Sequence, residues 1–299
     1  DADALAVALP EEICWLLNIR GGDVPCTPFA LSYAIAHKDG SVDLFIDQRK
    51  LTDAVRQWLG NDVRIHDLGD FSQALKDTAQ NKKIWVDPNA APVKVQDIVA
   101  QSGGTVIAEK SPLQLMKALK NKVEIAGAVN AHIRDGVALT RFIAAISEQG
   151  GAARHDELSA ADLLQGYRAQ GQDFRGLSFD TISGAAGNGA IVHYRSSPKT
   201  NKPLLAGPIY LVDSGAQYKD GTTDVTRTLG VDNATAEMKD RFTRVLKGHI
   251  QVAMSVFPEG TTGDKLDEKA RASLKEAGLD YAHGTGHGVG SYLSVHEGP

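Results

Sequence analysis

The sequence predicts an α/β part followed by an α+β part. In the first third, short β-rich runs alternate with short amphipathic stretches, the pattern of a sheet covered by helices. From about residue 125 a long helical repeat takes over. Beyond it, extended runs flank a hairpin-type turn and helices return, which suits an antiparallel sheet with helices packed on it.

The strand candidates of the first part are residues 13–17, 31–36, 42–46, 63–66, 84–87 and 105–108. Helical stretches fall between them at 52–59, 71–79 and 93–99. Thr52 suits an N-cap, and Val55, Trp58 and Leu59 share one helical face. Lys110-Ser111-Pro112 follows the last strand candidate and sets an expected domain boundary, giving 1–111 and 112–299. In the second part Ile125, Val129, Ile133 and Val137 recur every four residues, and Leu139, Phe142, Ile143 and Ile146 continue the apolar face. Gly150-Gly151 ends that helix. Asp156 is an N-cap type and opens a second helix to about Tyr167. After a glycine-rich stretch come extended runs at 190–194 and 209–213, then the turn pair Asp220-Gly221. Helices are expected at 235–253 and 264–277, the latter closed by Gly278.

The chain's 299 residues suit two domains, and 42% hydrophobic residues suffice for real cores. Lys and Arg number 32 against 37 Asp and Glu, a net charge of −5. That balance argues against a nucleic-acid or anionic-membrane partner, which would need a basic excess. Cys14 and Cys26 are too few for a disulfide framework, which points to a reducing cytoplasm. Residues 1–10 lack the basic start and long apolar core of a signal peptide. No apolar run approaches the roughly 18 residues of a membrane span.

The chemistry concentrates in the second part. His193, His283, His287 and His296 lie near glycine-rich turns. In His283-Gly-Thr-Gly-His287-Gly-Val-Gly290 the glycines oppose a continuous helix, so this is no helical zinc pair, and the glutamate of H-E-x-x-H is missing. The same glycines fit neither a dinucleotide fingerprint nor a phosphate loop. Such a segment is a loop or strand that passes close to something and points its histidines into it. Asp213 ends the apolar run Ile209-Tyr-Leu-Val212, and Asp224 lies on the return strand. A carboxylate at the end of a buried strand needs a partner, and a cation would serve. One imidazole beside carboxylates suits Mn, Fe, Co or Zn better than Mg. An ideal two-residue turn at Asp220-Gly221 would put Gln217 opposite Asp224 and leave Asp213 about 13 Å away. The two aspartates meet only if the strand bulges, and Gly215 is the candidate. Spacing alone leaves a second reading open, with Asp213 as a strand-end turn residue and Asp224 as a surface strand residue. Ser214 lacks the flanking glycines of a nucleophile elbow. Neither cysteine has a histidine beside it in sequence, and Trp15, Trp58 and Trp85 sit on periodic stretches expected to be core.

Longer motifs carry a resemblance. Asn188-Gly-Ala-Ile-Val-His193-Tyr, the run from Val212 through Asp224 to Thr228, His283 through Gly290, and Val295-His-Glu-Gly-Pro299 closely resemble the aminopeptidase P subfamily of pita-bread metallopeptidases. Methionine aminopeptidase and prolidase are its relatives. Trp15-Leu-Leu-Asn-Ile-Arg-Gly21 and Lys110-Ser-Pro-Leu-Gln-Leu-Met116 match the same subfamily, best in its long, cytosolic, three-domain form.

The resemblance implies a creatinase/prolidase-like N-terminal domain followed by a pita-bread catalytic domain. It implies Asp213, Asp224 and His287 as ligands of two divalent ions, with Asp224 bridging; manganese is expected first, with zinc or cobalt as alternatives. His193, His283 and His296 would line the substrate site and hydrogen-bond the scissile carbonyl or its oxyanion. A hydroxide bridging the ions would attack the Xaa–Pro bond at the N-terminus of a peptide with proline second. A homodimer and a cytoplasmic location are further expectations. Prolidase activity and a non-catalytic pita-bread module that binds peptides or proteins are the alternatives. The subfamily's two remaining glutamate ligands lie C-terminal to the His296 motif, and Glu297, Glu259, Glu268 and Glu276 match neither. The chain is therefore expected to be an internal piece of a longer protein, truncated at its C-terminus and inactive alone.

Overall fold

The computed structural model describes residues 1–298; Pro299, the last residue of the His296 motif, lies outside the described residues. The chain divides into two compact units. One takes Asp1–Val129, Asp220–Thr222 and the residues from Val289 onward; the other takes Asn130–Lys219 and Thr223–Gly288.

The first unit is built on a six-stranded mixed sheet of β1 (Ala4–Val7), β2 (Ser32–His37), β3 (Val42–Ile46), β4 (Val63–His66), β5 (Lys83–Val86) and β6 (Thr105–Ala108), in the order β4-β3-β2-β1-β5-β6. The β1–β2 and β2–β3 pairs are antiparallel; β3–β4, β1–β5 and β5–β6 are parallel. Helices α1 (Pro10–Leu16), α2 (Asp53–Leu59), α3 (Phe71–Ala79), α4 (Val93–Gln101) and α5 (Pro112–Ala118) interleave with the strands. The inward side chains form two cores. One gathers Ile35, Phe45, Ile84 and Val86 with Phe71, Leu75 and Ile98. The other gathers Val7, Ala34, Leu44 and Ile46 with Ile13, Leu59, Leu113 and Leu293. The Thr52 cap is present, its hydroxyl accepting from the Val55 amide.

Several local expectations need correction. The run 13–17 is the end of helix α1 with Leu17 as its C-cap, because Pro10 opens the helix and Glu11 and Glu12 occupy its first turn, where the helix dipole favours acids. β1 and α5 lay outside every expected element. Trp58 is 61% exposed, its indole nitrogen donating to the Leu17 carbonyl, so it is not core.

In the second unit α6 (Lys122–Ser147), which begins in the first unit, and α7 (Glu157–Ala169) precede β7 (Phe174–Leu177), β8 (Ile182–Ala185), β9 (Ile209–Ser214), β10 (Ala216–Tyr218) and β12 (Val225–Gly230); the short β11 (Gly221–Thr222), between β10 and β12 in sequence, is counted with the first unit. β9 is central, antiparallel to both β8 and β12, while β10 pairs with β7. Phe142, Ile146, Ala160 and Leu164 pack with Tyr210 and Val212. Residues 190–194, expected to be extended, are the end of a 3-10 turn and a loop. The every-fourth-residue stripe of α6 is not the packed face. Ile125, Val129, Ile133 and Val137 are each more than 50% exposed, whereas Ala131, Asp135, Ala138, Leu139, Phe142 and Ile146 are buried. A step of four residues advances 400°, so the stripe drifts round the helix, while small residues let α6 approach its neighbours closely. Helices α8 (Ala236–Ala253) and α9 (Gly263–Lys275) pack on one another where Gly248 abuts the Ala270 carbonyl.

Candidate active site

Asp213 and Asp224 meet because the chain leaves its ladder at Gly215. β9 and β12 pair with Val225 opposite Ser214 and Thr226 opposite Asp213. Asp224 thus comes level with Gly215 rather than Gln217, one diagonal step from Asp213 on the same face. The intervening residues turn away, Ala216–Tyr218 joining β7. Only glycine fits at the corner: a Cβ on Gly215 would lie 1.9 Å from the Thr223 carbonyl oxygen and 2.3 Å from Ser178 Oγ. Thr223 secures the excursion, its amide donating to the Ala216 carbonyl and its hydroxyl accepting from the Ala216 amide.

The two carboxyls form an electrostatic problem. Burial pushes the Asp213 carboxyl up to about 6; the Thr226 hydroxyl pulls it down, and the neighbouring Asp224 pushes it up. Oδ1 of Asp213 is buried without a hydrogen-bond partner. His287 sits at 3.2 Å from Asp224, Nε2 to Oδ2. Its Nδ1 lies 2.7 Å from the Gly288 carbonyl oxygen and donates to it. Nε2 then faces a carboxyl oxygen as an acceptor, a contact that a proton shared between them or a metal ion would satisfy. His193 lies within electrostatic reach of Asp213. Its backbone φ is +53°, a left-handed value that few non-glycine residues adopt.

The other histidines sit differently. His283 is exposed, with Nδ1 2.8 Å from the Gly284 carbonyl oxygen and its ring stacked on Tyr281 at 4.6 Å. His296 belongs to the first unit. Its neighbour Glu297 is buried and paired with Lys117 at 2.8 Å and with Lys120, so it is a structural anchor. Upstream on the same segment, Arg20 donates to the Ser291 and Tyr292 carbonyls.

Among the described residues no three His, Cys, Asp or Glu side chains gather closely enough to hold a metal ion. The donors nonetheless fit one in kind: an unpartnered buried carboxylate oxygen, a second carboxylate against the first, and an imidazole fixed through its far nitrogen.

Three supporting residues escaped the sequence reading. Thr226 bonds Asp213. Arg271 on α9 donates to Asp267, Asp280 and the backbone carbonyls of Tyr281 and His283, fixing the start of the histidine loop. The Asp267–Arg271 spacing of four was the available signal. Glu157 is buried at the start of α7 among donors from the loop that carries His193, and nothing in sequence separates it from an ordinary first-turn acid.

A model of the creatinase/prolidase N-terminal domain matches residues 1–124, and a model of metallopeptidase family M24 matches residues 126–299. The chain belongs to metallopeptidase family M24. It is 45% identical over 303 residues to Xaa-Pro aminopeptidase 1 of Dictyostelium discoideum, covering all of this chain and 48% of that protein. It is 44% identical over 305 residues to the Xaa-Pro aminopeptidase ApepP of Drosophila melanogaster, covering 100% of this chain and 49% of the relative. The crystal structure of X-prolyl aminopeptidase from Caenorhabditis elegans, described as a cytosolic enzyme with a di-nuclear active site, superposes with a TM-score of 0.93 at 36% identity. That match covers 100% of this chain and 49% of the other. This M24 chain therefore spans about half the length of the relatives it matches. The expected architecture, a creatinase-type N-terminal domain followed by a pita-bread domain, is the one found.

Proposed function

We propose that this chain is part of a metal-dependent aminopeptidase that hydrolyses the Xaa–Pro bond at peptide N-termini. The observation that carries the reading is the Asp213–Asp224 pair, two carboxyls forced together with one buried oxygen unpartnered. The names of the relatives support the reaction class, and the dinuclear site described for the nematode enzyme supports two ions.

Asp213 and Asp224 would supply carboxylate donors and His287 an imidazole, a set suited to manganese, with zinc and cobalt as alternatives. When bound, such ions acidify water and polarise a carbonyl group. The chain's own residues do the rest. Thr226 holds Asp213 toward its ionised form, and the Gly288 carbonyl fixes the His287 ring so that Nε2 is presented. His193, His283 and His296 are assigned to the peptide, as donors to the carbonyl oxygen where negative charge develops. The substrate is a peptide with proline second. The mild acidity, a net charge of −5, favours a peptide over a polyanionic partner such as nucleic acid or an anionic membrane surface; no helix among the described residues is long and apolar enough to cross a membrane. A cytoplasmic location and a homodimer complete the reading.

The test uses the full-length protein, with and without manganese, on an Xaa-Pro-Xaa peptide and on its counterpart with alanine second. Manganese-dependent release of the first residue from the proline peptide alone is expected. Equal cleavage of both overturns the proline specificity; cleavage confined to dipeptides makes the protein a prolidase; no cleavage of any peptide by the metal-loaded protein leaves a binding module.

A further inference from the structure

We propose that Glu157 is the positioning residue for His193; the proposal rests on the assignment of His193 to the substrate. Glu157 is fully buried, and a carboxylate there is tolerated only when its oxygens are satisfied. Four donors satisfy it. The Ala185 amide and the Asn188 side-chain amide each lie 2.8 Å from Oε1, the Tyr194 hydroxyl 2.8 Å from Oε2, and the Lys202 amide 3.2 Å from Oε2. All four belong to the segment from Ala185 to Lys202, so one carboxylate ties down both ends of the loop that carries His193. Lys202 Nζ donates to Asn188 Oδ1 at 2.8 Å and thereby orients the amide.

The loop needs such a tie. Ile191, Val192 and His193 are exposed, while Tyr194 is 5% exposed. Between the anchors the backbone closes through the Ile191 amide on the Asn188 carbonyl and the Tyr194 amide on the Ile191 carbonyl. His193 is held at φ +53°, which persists in a non-glycine residue only where its surroundings over-determine it. The adjoining Tyr194 is the residue Glu157 grips. The Glu157 backbone also meets the strands: its carbonyl accepts from Ser183 Oγ, which is 2.7 Å from the Tyr210 hydroxyl on β9, the strand that carries Asp213. One residue thus references the His193 loop to the Asp213 strand.

A double-mutant cycle in the full-length, manganese-loaded protein tests this. Glu157→Gln keeps the shape but turns one acceptor into a donor aimed at donors. It is expected to lower kcat on the Xaa-Pro peptide by roughly tenfold or more, with KM within about a factor of two. Combined with His193→Ala it should cause no further loss, because the two act through one group. Tyr194→Phe removes a single donor and should repeat the pattern more weakly; it carries the cycle if E157Q does not fold. In the metal-free protein, E157Q should shift the ring signals of His193 in NMR spectra while those of His283 stay in place. Losses that multiply in the cycle, unmoved His193 signals, or a wild-type kcat in E157Q would each overturn the proposal. A wild-type kcat in H193A alone would instead remove the assignment beneath it, and the proposal with it.

Discussion

Thr226 stands directly across the β9–β12 ladder from Asp213, and its hydroxyl bonds the Asp213 carboxyl. It counteracts both burial and Asp224 and keeps the acid ready to ionise. Thr226→Val preserves the shape and deletes the hydrogen bond. Manganese affinity, measured by calorimetry on the full-length protein, is expected to fall about tenfold. Unchanged affinity would mean that Asp213 does not hold the ion.

The same acid sets a pH signature. Asp213 sits at about 6 against an ordinary 3.8. A raised group binds its proton more tightly when folded, so its stabilising contribution is complete below pH 3.8 and is lost as pH rises through about 6. The thermal midpoint of the metal-free protein should therefore decline over roughly pH 4 to 7, and Asp213→Asn should flatten that decline. Manganese should oppose it, since a cation favours the ionised form. An identical slope in the Asn variant would place the titration elsewhere.

Arg271 predicts a local effect. Its guanidinium bonds Asp267 and Asp280, reaches the carbonyls of Tyr281 and His283, and lies 3.9 Å from the centroid of the Tyr281 ring. Arg271→Met should speed hydrogen exchange in residues 280–288 by about tenfold and leave β9 and β12 protected. Uniform acceleration across the second unit would show a global role instead.

In the first unit Asp43 accepts from Arg64, from His37 at 2.6 Å and from His66 at 2.8 Å. Despite the opposing pull of burial, these partners hold its carboxyl far below the ordinary value. Its contribution is thus present above pH 3.8 and disappears only in strong acid. Asp43→Asn leaves three donors facing an amide and should cost about 2 kcal/mol in urea unfolding at neutral pH. A loss below about 0.5 kcal/mol would reduce the cluster to a surface ion pair.

Strands such as β4 and β6, and helix α3, were legible residue for residue; in α3 the apolar Phe71, Leu75 and Ala79 recur every four residues and are the buried ones. The run 13–17 was not, since five apolar-rich residues carry too little periodicity to separate strand from buried helix. The sequence pointed to Gly215 as the irregularity that lets Asp213 and Asp224 meet, because an ideal turn would have left them about 13 Å apart along the ladder. It could not show that Thr226 faces Asp213, which depends on register, nor that Glu157 is encircled by a loop 28 to 45 residues further along. Those partners are assembled by tertiary packing and have no local signature.

The bonds from Arg20 to the Ser291 and Tyr292 carbonyls join residues 271 and 272 positions apart. In the order of synthesis, the first unit's sheet precedes these ties by more than 180 residues. Its second core also waits for Leu293. An N-terminal stretch ending before residue 289 would therefore leave the ribosome with a gap in that core and three guanidinium-acceptor or ion-pair partners missing. The first unit is thus completed only after the residues of the second have been made.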